Sequence, residues 1–289
     1  MKKLFLLSLL LIFQFGFSQK INEKSLLWEI SGKNLERPSF LYGTTHIACQ
    51  GDVLMTDKIQ KAFDNSETLA LEFDMSDPSL QTKMLLISFA KDGKKMSDRL
   101  STEVVEKLDL LFQSKLGAGF AVFEMLSPQI FLMQLSLLGL DCPMDLGYDM
   151  VFMNLAKAEG KDLVGLESID TQIDTLFSQS NEDAVAVISY LAENQEELKS
   201  ETAKILNLYK QNDVQGLYEM TKESFEDPKY PQNDIKMLLD DRNISWIPVI
   251  EKLIAEKPTF VAVGAAHLAG ENGVINLLKN QGYTLKPIQ

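Results

Sequence analysis

The spacing of apolar and polar positions changes several times along the chain. Residues 26–30 and 39–42 alternate in the manner of two strands, with Gly32 to Pro38 supplying the turn between them. Residues 56–65 place Ile59, Ala62 and Phe63 on one face of a short helix, and 68–73 form an apolar run broken only by Glu72. Strand, loop, helix and strand in that order predict a βαβ unit whose loop carries Gly43-Thr44-Thr45-His46. From 78 to 140 the period is helical: Leu80, Met84, Leu85, Ser88 and Phe89 share one face, and Val104, Leu108, Leu111 and Phe112 share another. Ser127-Pro128 opens a further helix, stopped by Gly139 and Pro143. Residues 150–157 predict a helix capped by Gly160, then a strand over 161–166 that ends in Glu167. Residues 169–257 are again mostly helical. An apolar strand over 258–263 runs straight into Gly264-Ala265-Ala266-His267, and a helix over 271–280 and a strand over 283–287 close the chain. The expected fold is therefore α/β: one domain over 19–289 with a central mixed β-sheet, flanking helices, and two long helical insertions near 78–140 and 169–257.

The first residues stand apart from this pattern. Lys2 and Lys3 precede an apolar run from Leu4 to Phe17, and Gly16-Phe17-Ser18 places small residues before Gln19. That layout predicts a signal peptide over 1–18, cut near Ser18/Gln19, with a run too short for a comfortable membrane span. The expected location is periplasmic or secreted, with no membrane span in the mature chain. A formal charge of −13 repels nucleic acid and anionic lipid, so neither is expected as a partner, and it leaves divalent cations and cationic peptides open without selecting them. In an oxidising compartment Cys49 and Cys142 can pair, which would tie the segment after His46 to the segment before Gly147.

The chain has only two histidines, and each closes a Gly-x-x-His tetrad directly after an apolar strand. In open α/β sheets ligands bind outside the carboxyl ends of the strands, so both tetrads belong at that edge. A lone loop histidine is most simply a structural hydrogen-bonding group, whereas two in equivalent positions point to a shared site. Imidazole is both a general base near neutral pH and the commonest transition-metal ligand. Glu72 lies in an apolar strand, where a carboxylate is costly unless it is paired, metal-bound or at a wet edge. Asp74 follows it on the same side, and Glu167 ends another strand in the same way. Two imidazoles with one or two carboxylates suit Mn, Co, Fe or Zn. There is no His-Glu-x-x-His, Gly-x-Ser-x-Gly or Gly-rich phosphate loop. Arg242-Asn243 reads either as a solvated helix face or as a carboxylate-binding pair.

Read together, Ser39-Phe40-Leu41-Tyr42-Gly43-Thr44-Thr45-His46, Leu71-Glu72-Phe73-Asp74, Gly147-Tyr148-Asp149 onward to Gly165-Leu166-Glu167, Arg242-Asn243, and Val263-Gly264-Ala265-Ala266-His267 through Gly273 resemble the TraB/GumN family, which includes the TIKI-type metalloproteases. Order and spacing hold over the whole expected mature chain. Tyr148-Asp149 departs from the family's usual Leu-Asp. The resemblance implies a core similar to erythromycin-esterase-like and ChaN-like proteins and a divalent metal (Mn, Co, Fe or Zn) held by His46, Glu72 and His267. It adds Glu167 and Arg242 as further candidate catalytic residues, and a peptide or small-molecule substrate. It leaves three functions open: a metal-dependent hydrolase acting as a peptidase, a metal-free hydrolase with a histidine base, and a protein that sequesters a peptide or small ligand without turning it over.

Overall fold

The computed structural model describes residues 20–46, 48–49, 51–52, 55–140, 142, 147–230 and 234–289; the expected signal peptide lies outside them. Strands β1 (Leu27–Ser31) and β2 (Ser39–Thr44) form an antiparallel hairpin. Its turn uses left-handed backbone at Gly32, Lys33 and Asn34, the conformation that a tight reversal demands. Helix α1 (Asp57–Asp64), capped by the Thr56 hydroxyl, then leads to β3 (Thr68–Phe73). Ile59, Ala62 and Phe63 are its buried face, as the spacing predicted. Strands β4 (Asp162–Glu167), β5 (Thr259–Gly264) and β6 (Thr284–Ile288) complete one mixed sheet in the order β4-β3-β5-β2-β1-β6.

The four strands β4, β3, β5 and β2 run parallel, so their carboxyl ends share one edge. Phe73 pairs with Glu167 and Thr44 with Gly264 in the ladder. That register lines up the last residues of the four strands and hands both Gly-x-x-His loops to the same rim. Strand β5 is central and buried on both faces, which is why its sequence is a continuous apolar run rather than an alternation. Helix α11 (Val274–Asn280) starts three residues later than the pattern suggested, because a short 3-10 turn over Ala265–His267 is followed by a loop before Gly273 caps the helix.

Between β3 and β4 come α2 (Leu80–Ser88), α3 (Thr102–Leu116), α4 (Pro128–Leu137) and α5 (Tyr148–Glu159). Between β4 and β5 come α6 (Ile169–Leu176), α7 (Asn181–Glu193), α8 (Gln195–Lys210), α9 (Val214–Glu226), a π-helical turn (Lys236–Asp240) and α10 (Asp241–Glu256). Phe63, Phe152 and Phe260 cluster on the sheet. A second apolar cluster forms where Phe112 and Phe131 from the first helical stretch meet Val187, Ile188 and Leu191 from the second. Burying rings of this size stabilises by about 1.5–3 kcal/mol each. The apolar face expected on α2 is only partly covered: Leu80, Met84 and Ser88 are half-buried, while Leu85 and Phe89 are exposed. No described helix is long and apolar enough to cross a membrane.

Candidate functional site

The site grows out of the shared strand edge. His46 lies two residues beyond β2, and its Nδ1 is 2.8 Å from Asp149 Oδ2. The other Asp149 oxygen accepts from the Thr44 hydroxyl at 3.0 Å. Since a carboxylate can only accept, His46 carries a proton on Nδ1 and turns Nε2 the other way. Asp149 reaches this spot because Gly147, just ahead of α5, touches the loop backbone: a β-carbon there would lie 3.0 Å from Thr45 O and 3.2 Å from His46 Cα. Cys49 and Cys142 form a disulfide, with Cα atoms 5.6 Å apart, joining the chain behind His46 to the chain ahead of Asp149.

His267 is oriented from α10. Asn243 Nδ2 donates to the carbonyls of His267 and Asn272 at 3.3 and 2.9 Å, which fixes the amide so that Oδ1 faces His267 Nδ1 at 2.7 Å. His267 therefore also holds its proton on Nδ1, and Nε2 presents a lone pair. That lone pair is 3.3 Å from Arg242 Nη1 and 3.8 Å from Glu72 Oε1. Trp246 lies against the ring, with centroids 4.6 Å apart.

Glu72 is buried at the end of β3, not turned to the rim. Its Oε1 accepts from Gly264 N at 2.8 Å and its Oε2 from Arg242 Nη2 at 2.7 Å. The side chains of the site meet around Gly264. A β-carbon there would sit 3.2 Å from Glu72 Oε1, 3.5 Å from His267 Cδ2 and 3.7 Å from His46 Nε2. Both imidazoles thus converge on one point beside Glu72, though 221 positions separate them in the sequence.

Arg242 is 5% exposed, so it belongs to the site and not to a solvated helix face. Nε and Nη2 donate to Glu167, Nη1 to Leu238 O, and Nη2 to Glu72 and Gln172. Trp246 Nε1 donates to Glu167 Oε2 at 3.0 Å. Glu167 therefore braces the guanidinium and the indole, and the guanidinium braces Glu72. Asp74 departs from expectation. Strand β3 ends at Phe73, and Asp74 Oδ1 caps the following turn at Ser76 N. The sequence did not single out Asp149 as a site residue, gave no role to Gln172 or Trp246, and offered Asn243 only as half of a carboxylate-binding pair. Asp149 sits in a first helical turn, where acidic residues are commonplace for dipole reasons.

The charges follow from these contacts. Burial works against a charged His46, but its side chain is 63% exposed. The charge and hydrogen bond of Asp149, with help from Glu72, hold it at about 9. Burial pushes His267 down to about 3, and Arg242 outweighs part of the pull of Glu72, so the ring is neutral. Burial also opposes an ionised Glu72, and His267 would counter that only if protonated. Arg242, His46 and the Gly264 N–H supply the compensation at neutral pH and keep the carboxyl well below the usual carboxylate range. Two histidines in one site are thus driven to opposite protonation states.

The donor types and the fixed acceptor on each imidazole Nδ1 fit a divalent metal. Among the described residues, however, no group of three or more His, Cys, Asp or Glu side chains is already gathered as a ligand set. No curated protein and no solved structure matches the chain. A family pattern does match, over residues 26–287, and on that span the chain belongs to the TraB/PrgY/gumN family.

Proposed function

We propose that the chain is an exported, divalent-metal-dependent hydrolase that cleaves peptide bonds. The observation that carries this reading is the convergence of the two imidazoles on Glu72: each has Nδ1 tied to a fixed acceptor, His46 turns Nε2 toward Gly264 beside Glu72, and His267 Nε2 lies 3.8 Å from Glu72 Oε1. An acceptor on Nδ1 is the usual support of a metal-ligating histidine. His46, His267 and Glu72 would hold the ion. A bound divalent ion would supply a Lewis acid for the scissile carbonyl and lower the pKa of water. Asp149 and Asn243 keep the two Nε2 atoms oriented, and His46 would give up its Nε2 proton to an ion. Arg242 holds Glu72 ionised, and Glu167, Gln172 and Leu238 O hold Arg242. With its donors so engaged, Arg242 acts by positioning Glu72 and not by gripping substrate, and Glu167 acts as its counter-ion. The disulfide beside the site suits the oxidising compartment that the N-terminal pattern implies.

A second reading, retention of a peptide or small ligand without turnover, is favoured by one observation: Arg242 already occupies a face of both Glu72 and His267. Metal analysis of the wild type beside a His46→Ala, His267→Ala double variant, followed by peptide-library digestion read by mass spectrometry, separates the two. Stoichiometric Mn, Co, Fe or Zn lost in the double variant, with cleavage abolished by a chelator, supports the hydrolase. Tight peptide binding without product supports retention. Cleavage that survives the chelator overturns the metal and leaves a histidine-based hydrolase.

A further inference from the structure

The charge of −13 is not evenly spread. Residues 80–99 and 122–127 together carry five basic side chains, Lys83, Lys91, Lys94, Lys95 and Arg99, against three acidic ones, Asp92, Asp98 and Glu124. These two segments lie side by side. Phe89 and Leu126 form an antiparallel bridge, Ser127 N donates to Ser88 O at 2.8 Å, and Met96 N donates to Glu124 O at 2.8 Å. The same two segments also expose apolar side chains. Helix α2 has no buried residue, Leu86 and Val122 are 68% and 70% exposed, and Leu85, Phe89 and Met125 are exposed with them. Lys95 is taken up by Glu124, Arg99 by Asp92 and Lys83 by Asp170. Lys91 and Lys94 stand exposed beside the apolar group.

We propose that this face docks onto a bilayer surface bearing anionic headgroups, with Leu85, Leu86, Phe89, Val122 and Met125 entering the headgroup layer and Lys91 and Lys94 meeting the phosphates. Large apolar side chains exposed together mark an interaction surface. Apolar side chains with adjacent lysines are the chemistry of interfacial binding. A second copy of this chain fits less well, because a two-fold contact would set the same lysines against each other. The overall negative charge does not forbid docking. Charges more than about 8 Å from the contact are screened at physiological ionic strength, so the local lysines govern the encounter and the acidic remainder turns outward. The proposal does not depend on the chemistry at Gly264.

Every described element lies between Leu27 and Ile288, so the chain starting at Gln19 carries this face without the apolar N-terminal run. Its co-sedimentation with phosphatidylcholine vesicles, with and without phosphatidylglycerol, tests the proposal. Binding is expected to the phosphatidylglycerol vesicles only. It should weaken about tenfold or more in K91E/K94E and again in L86S/F89S, with melting temperatures unchanged because all four residues are exposed. Absence of wild-type binding, equal binding to both vesicles, or binding untouched by either variant overturns the proposal. So does a dimer in sedimentation velocity that L86S/F89S dissociates while vesicles stay unbound.

Discussion

His46 and Asp149, 103 positions apart in the chain, meet through a 2.8 Å contact between Nδ1 and Oδ2. The pairing fixes the tautomer of the imidazole and raises its pKa, while His267, tied to a neutral amide, is driven the other way. Because the chain has only two histidines, a proton NMR titration of metal-free protein reads both directly. One ring resonance is expected to titrate near 9 and the other to stay unprotonated down to about 3. Asp149→Asn should bring the first back toward the ordinary value of 6.5. A single transition shared by both rings near that value would remove the electrostatic account of the site.

The same shifts set the pH dependence of stability in metal-free protein. His46, raised in the folded state, contributes stability that is complete below 6.5 and lost as pH rises through about 9. His267, lowered in the folded state, takes up protons more readily when unfolded, so stability also falls as pH drops from 6.5 toward about 3. The depressed Glu72 adds to the acid-side loss. Urea midpoints are expected to peak near pH 6.5, and Asp149→Asn should flatten the alkaline limb while leaving the acid limb in place. An alkaline limb unchanged by that substitution would contradict the assignment to His46.

Gly264→Ala should harm the site more than the fold. Its φ of −50° and ψ of 134° are open to alanine, so any loss of stability comes from crowding the held Glu72 carboxylate and should be on the order of 1–2 kcal/mol. The new methyl would stand 3.2 Å from Glu72 Oε1 and 3.7 Å from His46 Nε2. Metal uptake, measured by elemental analysis, is expected to fall to the level of the double histidine variant. Full uptake would place the metal elsewhere.

The sheet, both histidine loops and Glu72 were legible because each has a local signature: an apolar run of strand length, a glycine where the strand ends, a carboxylate inside an apolar stretch. Arg242 was not legible from the residues alone. The π-helical turn at Lys236–Asp240 adds a residue to the turn just before α10, which rotates the helix and defeats a wheel drawn at 3.6 residues per turn. Asp149 carried no signal and Asn243 only its pairing with Arg242, since their roles depend on what lies opposite them across the edge of the sheet. Asp74 misled for the opposite reason: alternation holds only while the strand continues, and β3 stops one residue short of it. The apolar face of α2 shows that periodicity identifies a face without naming what covers it.

Arg242 joins two buried carboxylates, so its removal should be costly to the whole fold. With Glu72 and Glu167 only 7% and 4% exposed at their side chains, Arg242→Met leaves both charges without their partner, a loss of about 3–5 kcal/mol. Arg242→Lys should recover only part of it, because one ammonium cannot reproduce a planar fork that donates to Glu72, Glu167 and Gln172 together. Urea denaturation of the three proteins at neutral pH measures this. A lysine variant as stable as the wild type would mean that the charge alone matters and the fork does not.

The disulfide between Cys49 and Cys142 closes a loop of 93 residues in sequence, and opening a loop of that size should cost about 2–5 kcal/mol. Its position makes a second, local effect the sharper test. It anchors the chain three residues past His46 and seven residues before Asp149, so it limits how far those two groups can separate. In Cys49→Ser, Cys142→Ser protein held well below its melting temperature, the His46 resonance is expected to broaden and move toward 6.5, while the His267 resonance, held from α10 by Asn243, stays where it was. A global loss of structure would move both. A stability loss with neither resonance displaced would show that the cross-link acts on the unfolded chain alone and that α5 and its Gly147 contact suffice to hold Asp149 against His46.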